Sequence, residues 1–249
     1  HSVGKRRKFE IRDLENDILY VNLPDFMHGN FAATVRAALE KKIPSGLILD
    51  IRENIGGMTL LGAQVAELLI SGEFSGCRKR TRIGRGVDLA SASQIILESP
   101  EEQAREIAAG LYTQEDVEAS RRQMAGTYTE SYQDRFGREG QQALFTGPCV
   151  VLTSRRTVSA AEDFLAMLRS NRRATVIGTP TCGTTGTPML LRLRSGGGAR
   201  ICSVGYRLLD GTEFLGCGIR PDIPMESTPE DILAGRDPVL EKAIDFMRK

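Results

Sequence analysis

A serine between two apolar segments is the first residue of this sequence that could do chemistry. Ser159 lies in TVSAAE, after the apolar run 148–153 and before a segment with apolar residues at helical spacing. A helix that begins here would direct free N–H groups and partial positive charge toward the hydroxyl. Ser159 is therefore a candidate nucleophile, with the amide of Ala160 as a candidate oxyanion donor. The other interpretation is that Ser159 only caps the helix, with Glu162 as its capping-box partner.

A pair of adjacent glycines could supply further oxyanion donors. Gly56 and Gly57 end the segment RENIGG, which follows the apolar run 46–51. Adjacent glycines let the chain turn sharply and leave amide N–H groups facing a cleft, where such groups stabilise an oxyanion. A purely structural turn is the alternative, and two glycines alone do not distinguish between them.

Two further segments carry polar groups. Residues 178–186 are rich in hydroxyls and glycine, which suits a loop that lines a site, but they lack the Gly-Lys-Ser/Thr ending of a phosphate loop. Cys182 has no histidine near it in the sequence, so we interpret it as a buried, unreactive thiol. Glu213 is the only acid of a predicted strand, where a solvated carboxylate is the ordinary expectation.

Composition limits the chemistry that is available. The 249 residues carry a net charge of +1, which argues against a basic surface for nucleic acid. No apolar run approaches the ~18 residues of a membrane helix, and five cysteines without a Cys-x-x-Cys pair argue against a zinc site. The two histidines are His1 and His28, and we interpret His1-Ser2 as a purification scar. His28 is then the one native imidazole.

Predicted strands and helices that alternate along the chain position the candidate residues. Residues 9–23 predict two short strands, and Asn30 is the expected N-cap of the helix that follows. Residues 76–146 break the pattern with a basic cluster and a polar helical stretch over about 101–124, so we interpret them as an insertion. Further strands are predicted at 46–52, 148–153 and 174–178, a hairpin turn at 195–198, and a last helix at about 236–247. The pattern indicates an α/β fold.

In this order the segments resemble the carboxyl-terminal-processing (tail-specific) serine peptidase family and its tricorn-core relatives. The segments GLILDIRENIGG, GPCVVLTSRRTVSAAEDF and GCGIRPDI are each similar to a motif of that family, and the resemblance runs from about residue 18 to 223 apart from the insertion. It implies a ClpP/crotonase-like spiral of strand-strand-helix units with a partly helical insertion. It also makes Ser159 the expected nucleophile.

The sequence departs from the family at the positions of the base and the acid. Thr184 stands where serine–lysine members carry lysine, which places the chain closer to the tricorn-core-like branch, and Asn22 stands at that branch's histidine position. Leu215 holds the usual acid position, two residues after Glu213, and a strand keeps both on one face. A serine hydroxyl needs a base, and an imidazole with a pKa near ~6.5 suits neutral pH. We therefore expect His28 as the base and Glu213 as the acid that orients it.

The resemblance implies a serine peptidase that hydrolyses peptide bonds in polypeptides through an acyl-enzyme, without a metal or organic cofactor. A catalytically silent relative that binds a peptide or small apolar ligand in the same cleft is the alternative. The expected catalytic residues are Ser159, His28 and Glu213; the expected backbone oxyanion donors are Gly56, Gly57 and Ala160; and the expected site-lining residues are Asn22, Thr184 and Thr185.

The expected organisation is an N-terminal lead-in over 1–17 and a peptidase domain over 18–249, with the insertion at 76–146. Expected partners are polypeptides and not nucleic acid. The lack of a starting methionine indicates a fragment of a longer polypeptide. The family resemblance implies an extracytoplasmic location, periplasmic or secreted, although no signal peptide is visible in these residues.

Overall fold

The computed structural model describes residues 8–27, 29–81, 100–110, 113–124, 134–193 and 196–248. The chain forms two compact units. The first consists of residues 1–77, 134–184 and 207–249, and the second of residues 78–133 and 185–206.

The first unit is built on a six-stranded sheet with the order β1-β2-β3-β5-β6-β10. The pair β1–β2 is antiparallel, and every other neighbouring pair is parallel. The six strands are β1 (Glu10–Leu14), β2 (Ile18–Asn22), β3 (Gly46–Asp50), β5 (Cys149–Thr153), β6 (Thr175–Gly178) and β10 (Ile223–Pro224).

Four of the five helices of this unit have a polar N-cap residue, and the exception is α2, which follows Met58. Asn30 caps the first one as predicted, since its side chain accepts a hydrogen bond from the amide of Ala33 (3.0 Å). Asp237 caps the last one in the same way, through the amide of Leu240 (3.1 Å). The helices are α1 (Phe31–Lys41), α2 (Thr59–Ala66), α5 (Ala160–Ser170), α6 (Pro229–Leu233) and α7 (Pro238–Met247).

The core lies on both faces of the sheet. Val239 and Ala243 of α7 are buried against one face, in a cluster that contains Tyr20, Ile48 and Val150. The strand residues that point the other way are buried as well, among them Val21, Leu49 and Val151. Burial on both faces explains why these strands have continuous apolar sequences instead of an alternating pattern.

The second unit holds the two short helices α3 (Pro100–Ala108) and α4 (Gln114–Met124). Strands β7 (Pro188–Arg192) and β8 (Gly198–Cys202) form an antiparallel pair. Strand β4 (Cys77–Thr81) pairs with β9 (Val204–Leu208), whose residues lie for the most part in this unit. The basic cluster of the predicted insertion thus begins in strand β4, where the Lys79 ammonium lies over the Tyr206 ring (5.1 Å to the centroid).

The mixed α/β fold with a mainly parallel sheet is confirmed, as are the predicted strands, the helix after Asn30 and the last helix at about 236–247. The helical stretch predicted as one over about 101–124 is two helices, α3 and α4. Residues 134–146 return to the first unit, where Phe136 forms an antiparallel bridge with Phe74. None of the helices within the described residues is both long enough and apolar enough to cross a membrane.

Candidate active site

The candidate site lies where parallel strands end. The chain leaves β3 into loop 51–58, leaves β5 into loop 154–159 and leaves β6 into loop 179–184, and the three strands are neighbours in the sheet. The carboxyl ends of parallel strands meet at one edge, and in open α/β sheets this edge is where ligands bind. The fold therefore gathers three of the segments that the sequence singled out.

Ser159 has an unusual backbone conformation, with φ 57° and ψ −125°, immediately before α5. Residues other than glycine rarely adopt a positive φ, and conformations of this kind cost about 1–3 kcal/mol and cluster at functional sites. A serine on a strained strand-to-helix turn is how hydrolase folds expose a nucleophilic hydroxyl. Ser159 is half-buried, so part of the residue contacts solvent.

Neighbouring backbone holds this turn in place. The amide of Val158 donates to the carbonyl of Asn54 (3.0 Å), and the amide of Cys182 donates to the carbonyl of Thr157 (3.0 Å). The buried hydroxyl of Thr157 donates to the carbonyl of Ile51 (2.9 Å). Loops from β3, β5 and β6 thus fix the strained residue together.

Glu162 is fully buried one turn into α5, and its carboxylate gathers four donors. It accepts hydrogen bonds from the hydroxyl of Thr181 (2.6 Å) and from the amides of Gly183 (2.6 Å), Thr184 (2.7 Å) and Ser159 (3.2 Å). This carboxylate therefore fastens loop 181–184 to the turn that carries Ser159. A cluster of charge-assisted bonds of this kind is strong because each donor is satisfied away from water.

The bond from Ser159 to Glu162 is one half of a capping box, so the structural interpretation of this pair is present. The other half, the Ser159 side chain facing the amide of Glu162, is present as well. That amide makes its hydrogen bond to the Ser159 carbonyl (2.7 Å) and not to the hydroxyl.

Gly56 is pressed against the segment that carries Ser159. A β-carbon at Gly56 would lie 2.7 Å from the Cβ of Ser159 and 2.9 Å from the amide nitrogen of Ala160. Its φ of +90° also favours glycine. The Gly56 amide donates to the Oδ1 of Asn54 (2.9 Å), a side chain that is itself completely buried. Gly56 therefore provides close approach, and its amide is already engaged.

The amides of Ala160 and Gly57 are the available donors. Neither has a hydrogen-bond acceptor within the part of the chain that the structure describes. Gly57 is exposed and follows Gly56 directly, and Ala160 is the first residue of α5. Two N–H groups of this kind could bind an oxyanion, with the partial positive charge of the helix N-terminus behind one of them.

Asp163 is a further buried acid that the sequence reasoning missed. It follows Glu162, is 7% exposed, and its Oδ2 accepts the hydroxyl of Thr59 (2.7 Å) at the start of α2. An acid at the fourth position of an apolar helix face is the sequence signal that could have pointed to it.

The remaining sequence-predicted residues lie in different surroundings. His28 is outside the described residues. Phe26, two residues before it, bonds to the loop that contains Gly56: its amide donates to the carbonyl of Gly56 (2.8 Å), and its carbonyl accepts from the amide of Met58 (2.8 Å).

Asn22 is buried, and its amide group donates to the carbonyl of Lys8 (2.6 Å). Thr184 is exposed while its amide is held by Glu162. Thr185 is buried and belongs to the second unit.

The surroundings of Cys182 differ from the sequence interpretation. Cys182 is exposed, so the interpretation of a buried thiol is wrong. The backbone of Cys182 is held by its hydrogen bond to Thr157, while its side chain is exposed to solvent.

Glu213 is a largely exposed carboxylate that forms an ion pair with Arg207 across a short antiparallel bridge. Its contact with Arg207 is that of an exposed strand residue.

A buried ionic network supports the same edge of the sheet. Arg52 donates to Asp50 (2.7 Å) and to Asp237 (2.7 Å), and Tyr20 donates to Asp50 (2.7 Å). Burial opposes the charged form of Arg52, but the hydrogen bonds of Asp237 and Asp50 outweigh it and raise the Arg52 pKa above its usual range. The network joins the start of α7 to the end of β3, directly before loop 51–58.

The chain is similar to known peptidases in sequence and in fold. The model of peptidase family S41 matches residues 17–225. A carboxy-terminal-processing protease of Bartonella bacilliformis is 33% identical over 93 residues, which are 37% of this chain and 21% of that protein. The chloroplastic C-terminal processing peptidase of Tetradesmus obliquus is 25% identical over 217 residues, which are 86% of this chain and 36% of that protein. The chain thus spans about a third or less of the length of these relatives.

Solved structures show the same fold. Mature CPAF, solved in complex with lactacystin, superposes with a TM-score of 0.66 at 18% identity, over 91% of this chain and 50% of that one. At this identity the likeness concerns the arrangement of strands and helices.

Proposed function

The chain belongs to peptidase family S41, and we propose that it hydrolyses peptide bonds of polypeptide substrates through an acyl-enzyme on Ser159. The observation that carries the proposal is the strained conformation of Ser159 between a buried strand and α5. A residue that only capped a helix would have no need of a positive φ, because ordinary N-caps have extended backbone.

The proposed reaction begins with attack of the Ser159 Oγ on the substrate carbonyl. The carbonyl oxygen becomes an oxyanion, which the amides of Ala160 and Gly57 bind; each such donor is worth about 10²–10³-fold in rate. Collapse breaks the peptide bond, the amine leaves with a proton, and an ester to Ser159 remains. Water then attacks this ester and releases the new carboxyl terminus. Gly56 contributes shape here, since its own amide already donates to Asn54.

We propose His28 as the group that takes the proton from Ser159 and gives it to the leaving amine. Support comes from chain connectivity. His28 follows Phe26 by two residues, about 7 Å of chain at most, and the backbone of Phe26 is bonded to the loop that abuts Ser159. Thr184 at the lysine position leaves no side-chain base there.

The second candidate function is a silent peptidase-like domain that binds a peptide or small apolar ligand. It is favoured by the two departures at the family's base positions, where Thr184 and Asn22 stand, and by the bond that engages Asn22 with Lys8. In this case the cleft would retain substrate but would not activate the serine hydroxyl.

A fluorophosphonate probe distinguishes the two functions, because it reacts stoichiometrically only with an activated serine. We expect one equivalent of label on the wild-type chain and none on Ser159→Ala, together with cleavage of an unstructured polypeptide by the wild type alone. Circular dichroism of Ser159→Ala provides the folding control. A wild-type chain that binds peptide but takes up no label would favour the silent function. Loss of label in Ser159→Ala with full activity in His28→Ala would reject His28 as the base.

We also propose an extracytoplasmic place of action. The relatives from Tetradesmus obliquus and Arabidopsis thaliana are named as chloroplastic processing peptidases, and this chain shares their family. The test is fractionation of cells that express the full-length protein. We expect the protein outside the cytoplasmic fraction. The division of the chain at residues 17 and 18 and the limits 76–146 of the insertion remain predictions.

A further inference from the structure

Asn54 is a completely buried polar residue that contacts each of the segments that meet at the candidate site. Its Oδ1 accepts the amide of Gly56 (2.9 Å), and its Nδ2 donates to the carbonyl of Leu23 (3.1 Å). Its own carbonyl accepts the amide of Val158 (3.0 Å). We propose that Asn54 is the positioning residue that directs the Gly57 amide toward the oxyanion of the reaction, an inference that rests on the proposed function.

The bond to Gly56 determines how the chain runs past Gly57. An asparagine oxygen that accepts the amide two residues later forms a tight local turn. On the other side of Gly57, the amide of Met58 donates to the carbonyl of Phe26 (2.8 Å). The amides before and after Gly57 are thus engaged, whereas the Gly57 amide has no acceptor among the described residues. Because peptide planarity leaves only φ and ψ free, these two bonds set the direction of the Gly57 N–H.

The bond to Leu23 holds the same loop against its neighbour in the fold. Leu23 is the first residue after β2 and is completely buried. Three residues later, Phe26 forms a parallel bridge with Gly57. The side chain of Asn54 therefore anchors its loop to the short segment whose backbone also supports Gly57.

The backbone of Asn54 ties this loop to the segment of the other oxyanion donor. Val158, which donates to the Asn54 carbonyl, lies two residues before Ala160. The amide of Asn54 donates to the carbonyl of Ile51 (3.1 Å), and the same carbonyl accepts the hydroxyl of Thr157 (2.9 Å). One residue thus contacts both segments that carry the candidate donors.

The residue type matches this role. The bond to Gly56 needs an acceptor and the bond to Leu23 needs a donor, and asparagine carries one group of each kind on a short side chain. An ionised aspartate forms the same local turn but has no proton to donate. A residue that served the turn alone would have no need of the amide, so the bond to Leu23 indicates that the position of the whole loop matters.

The test compares Asn54→Ala with Asn171→Ala in steady-state cleavage of an unstructured polypeptide. Asn171 is the matched control, because its side chain also makes two hydrogen bonds to the backbone, to the carbonyls of Ser75 (2.9 Å) and Met167 (2.7 Å), but at the opposite end of α5 from Ser159. We expect kcat of Asn54→Ala to fall by about 10²–10³-fold, the effect of losing one oxyanion donor, with KM nearly unchanged. Asn171→Ala should keep the wild-type kcat.

A peptide aldehyde and the alcohol of the same sequence separate the oxyanion from ordinary binding. Both are made on the new carboxyl terminus of a cleavage product. The Ser159 oxygen adds to the aldehyde carbon and forms a hemiacetal, whose former carbonyl oxygen occupies the oxyanion position, whereas the alcohol only binds. Analogues of the transition state lose affinity together with the rate. In Asn54→Ala the inhibition constant of the aldehyde should therefore rise in step with the loss of kcat, while that of the alcohol stays at the wild-type value.

Asn54→Ser is the conservative variant. Its hydroxyl can form the turn to Gly56 more weakly but is too short for the bond to Leu23, so we expect a smaller loss than in Asn54→Ala. Equal weakening of aldehyde and alcohol, an unchanged aldehyde constant, or failure of both Asn54 variants to fold would reduce Asn54 to a structural role and overturn the inference. Fluorophosphonate labelling of the wild type distinguishes these outcomes from failure of the proposed function, since an unlabelled wild type rejects both.

Discussion

Gly56 and Ser159 approach each other so closely that no side chain fits between them. A β-carbon on Gly56 would come within 2.7 Å of the Cβ of Ser159 and of the carbonyl oxygen of Val158. The two residues are 103 positions apart in the sequence (159 − 56). Parallel pairing of β3 with β5 brings their loops into contact.

Gly56→Ala should therefore disrupt the segment that carries Ser159. The added methyl group forces the Ser159 turn or loop 51–58 to move, and a displacement of about 1 Å costs about 10²-fold in rate. We expect fluorophosphonate labelling of the variant to slow by at least this factor. Gly72→Ala is the matched control, because Gly72 also has a positive φ (+71°) but no atom within 4 Å of an added β-carbon. Both variants incur the backbone cost of about 1–2 kcal/mol, so equal labelling rates would contradict the proposed contact.

Replacement of Glu162 should release loop 181–184 from the turn that carries Ser159. Glu162→Gln offers one acceptor oxygen, and its NH₂ group would face either the Thr181 hydroxyl and the Gly183 amide or the amides of Thr184 and Ser159. A buried polar group left unsatisfied costs about 1–3 kcal/mol, so we expect a lower midpoint in urea unfolding and slower labelling of Ser159. Glu226→Gln, at an exposed position, is the control. An unchanged labelling rate in Glu162→Gln would show that the carboxylate does not position Ser159.

Cys149 should make the stability of the fold sensitive to alkaline pH. Burial raises the pKa of this thiol from 9.0 to about 12, although the charge of Arg173 opposes the shift. The folded state therefore holds the proton more tightly than the unfolded chain, and the free energy of unfolding should fall between about pH 9 and 12. The slope is at most about 1.4 kcal/mol per pH unit.

Urea unfolding of the wild type and Cys149→Ala at pH 8 and pH 10.5 measures this effect. The stability difference between the two proteins should narrow at the higher pH, because only the wild type loses this contribution. Cys202→Ala, at an exposed thiol, should follow the wild type. Parallel behaviour of Cys149→Ala and the wild type would contradict the assignment.

Much of the candidate site follows from local sequence patterns. The apolar runs of β3 and β5, the Asn30 cap and the helical spacing after Ser159 are properties of neighbouring residues, and each was predicted with the correct type of element. Ser159 could be named as a candidate because a serine at a strand-to-helix junction is visible without any long-range contact. Cys182 was misjudged because exposure of a loop side chain depends on which backbone groups the rest of the fold engages.

The partners of the acids could not be predicted in this way. Glu162 was visible only as a capping residue, since its bonds to Thr181, Gly183 and Thr184 require loop 181–184 to fold back over α5. Asp163 meets Thr59 across 104 positions. Strand alternation places Glu213 on the same face of the strand as the position of the family acid. Alternation does not predict which residue the Glu213 side chain will contact, and in the structure that residue is Arg207.

The sequence by itself thus determined the alternation of strands and helices, the family and the identity of the candidate nucleophile. The tertiary structure decided which amides near Ser159 have no acceptor among the described residues, which carboxylate fastens the loops and which hydroxyl donates to the buried Asp163. The physical reason is that periodicity and capping depend on residues within a turn or two of each other. Contacts among loops depend on the order and register of the parallel strands, which bring together groups that are about a hundred residues apart.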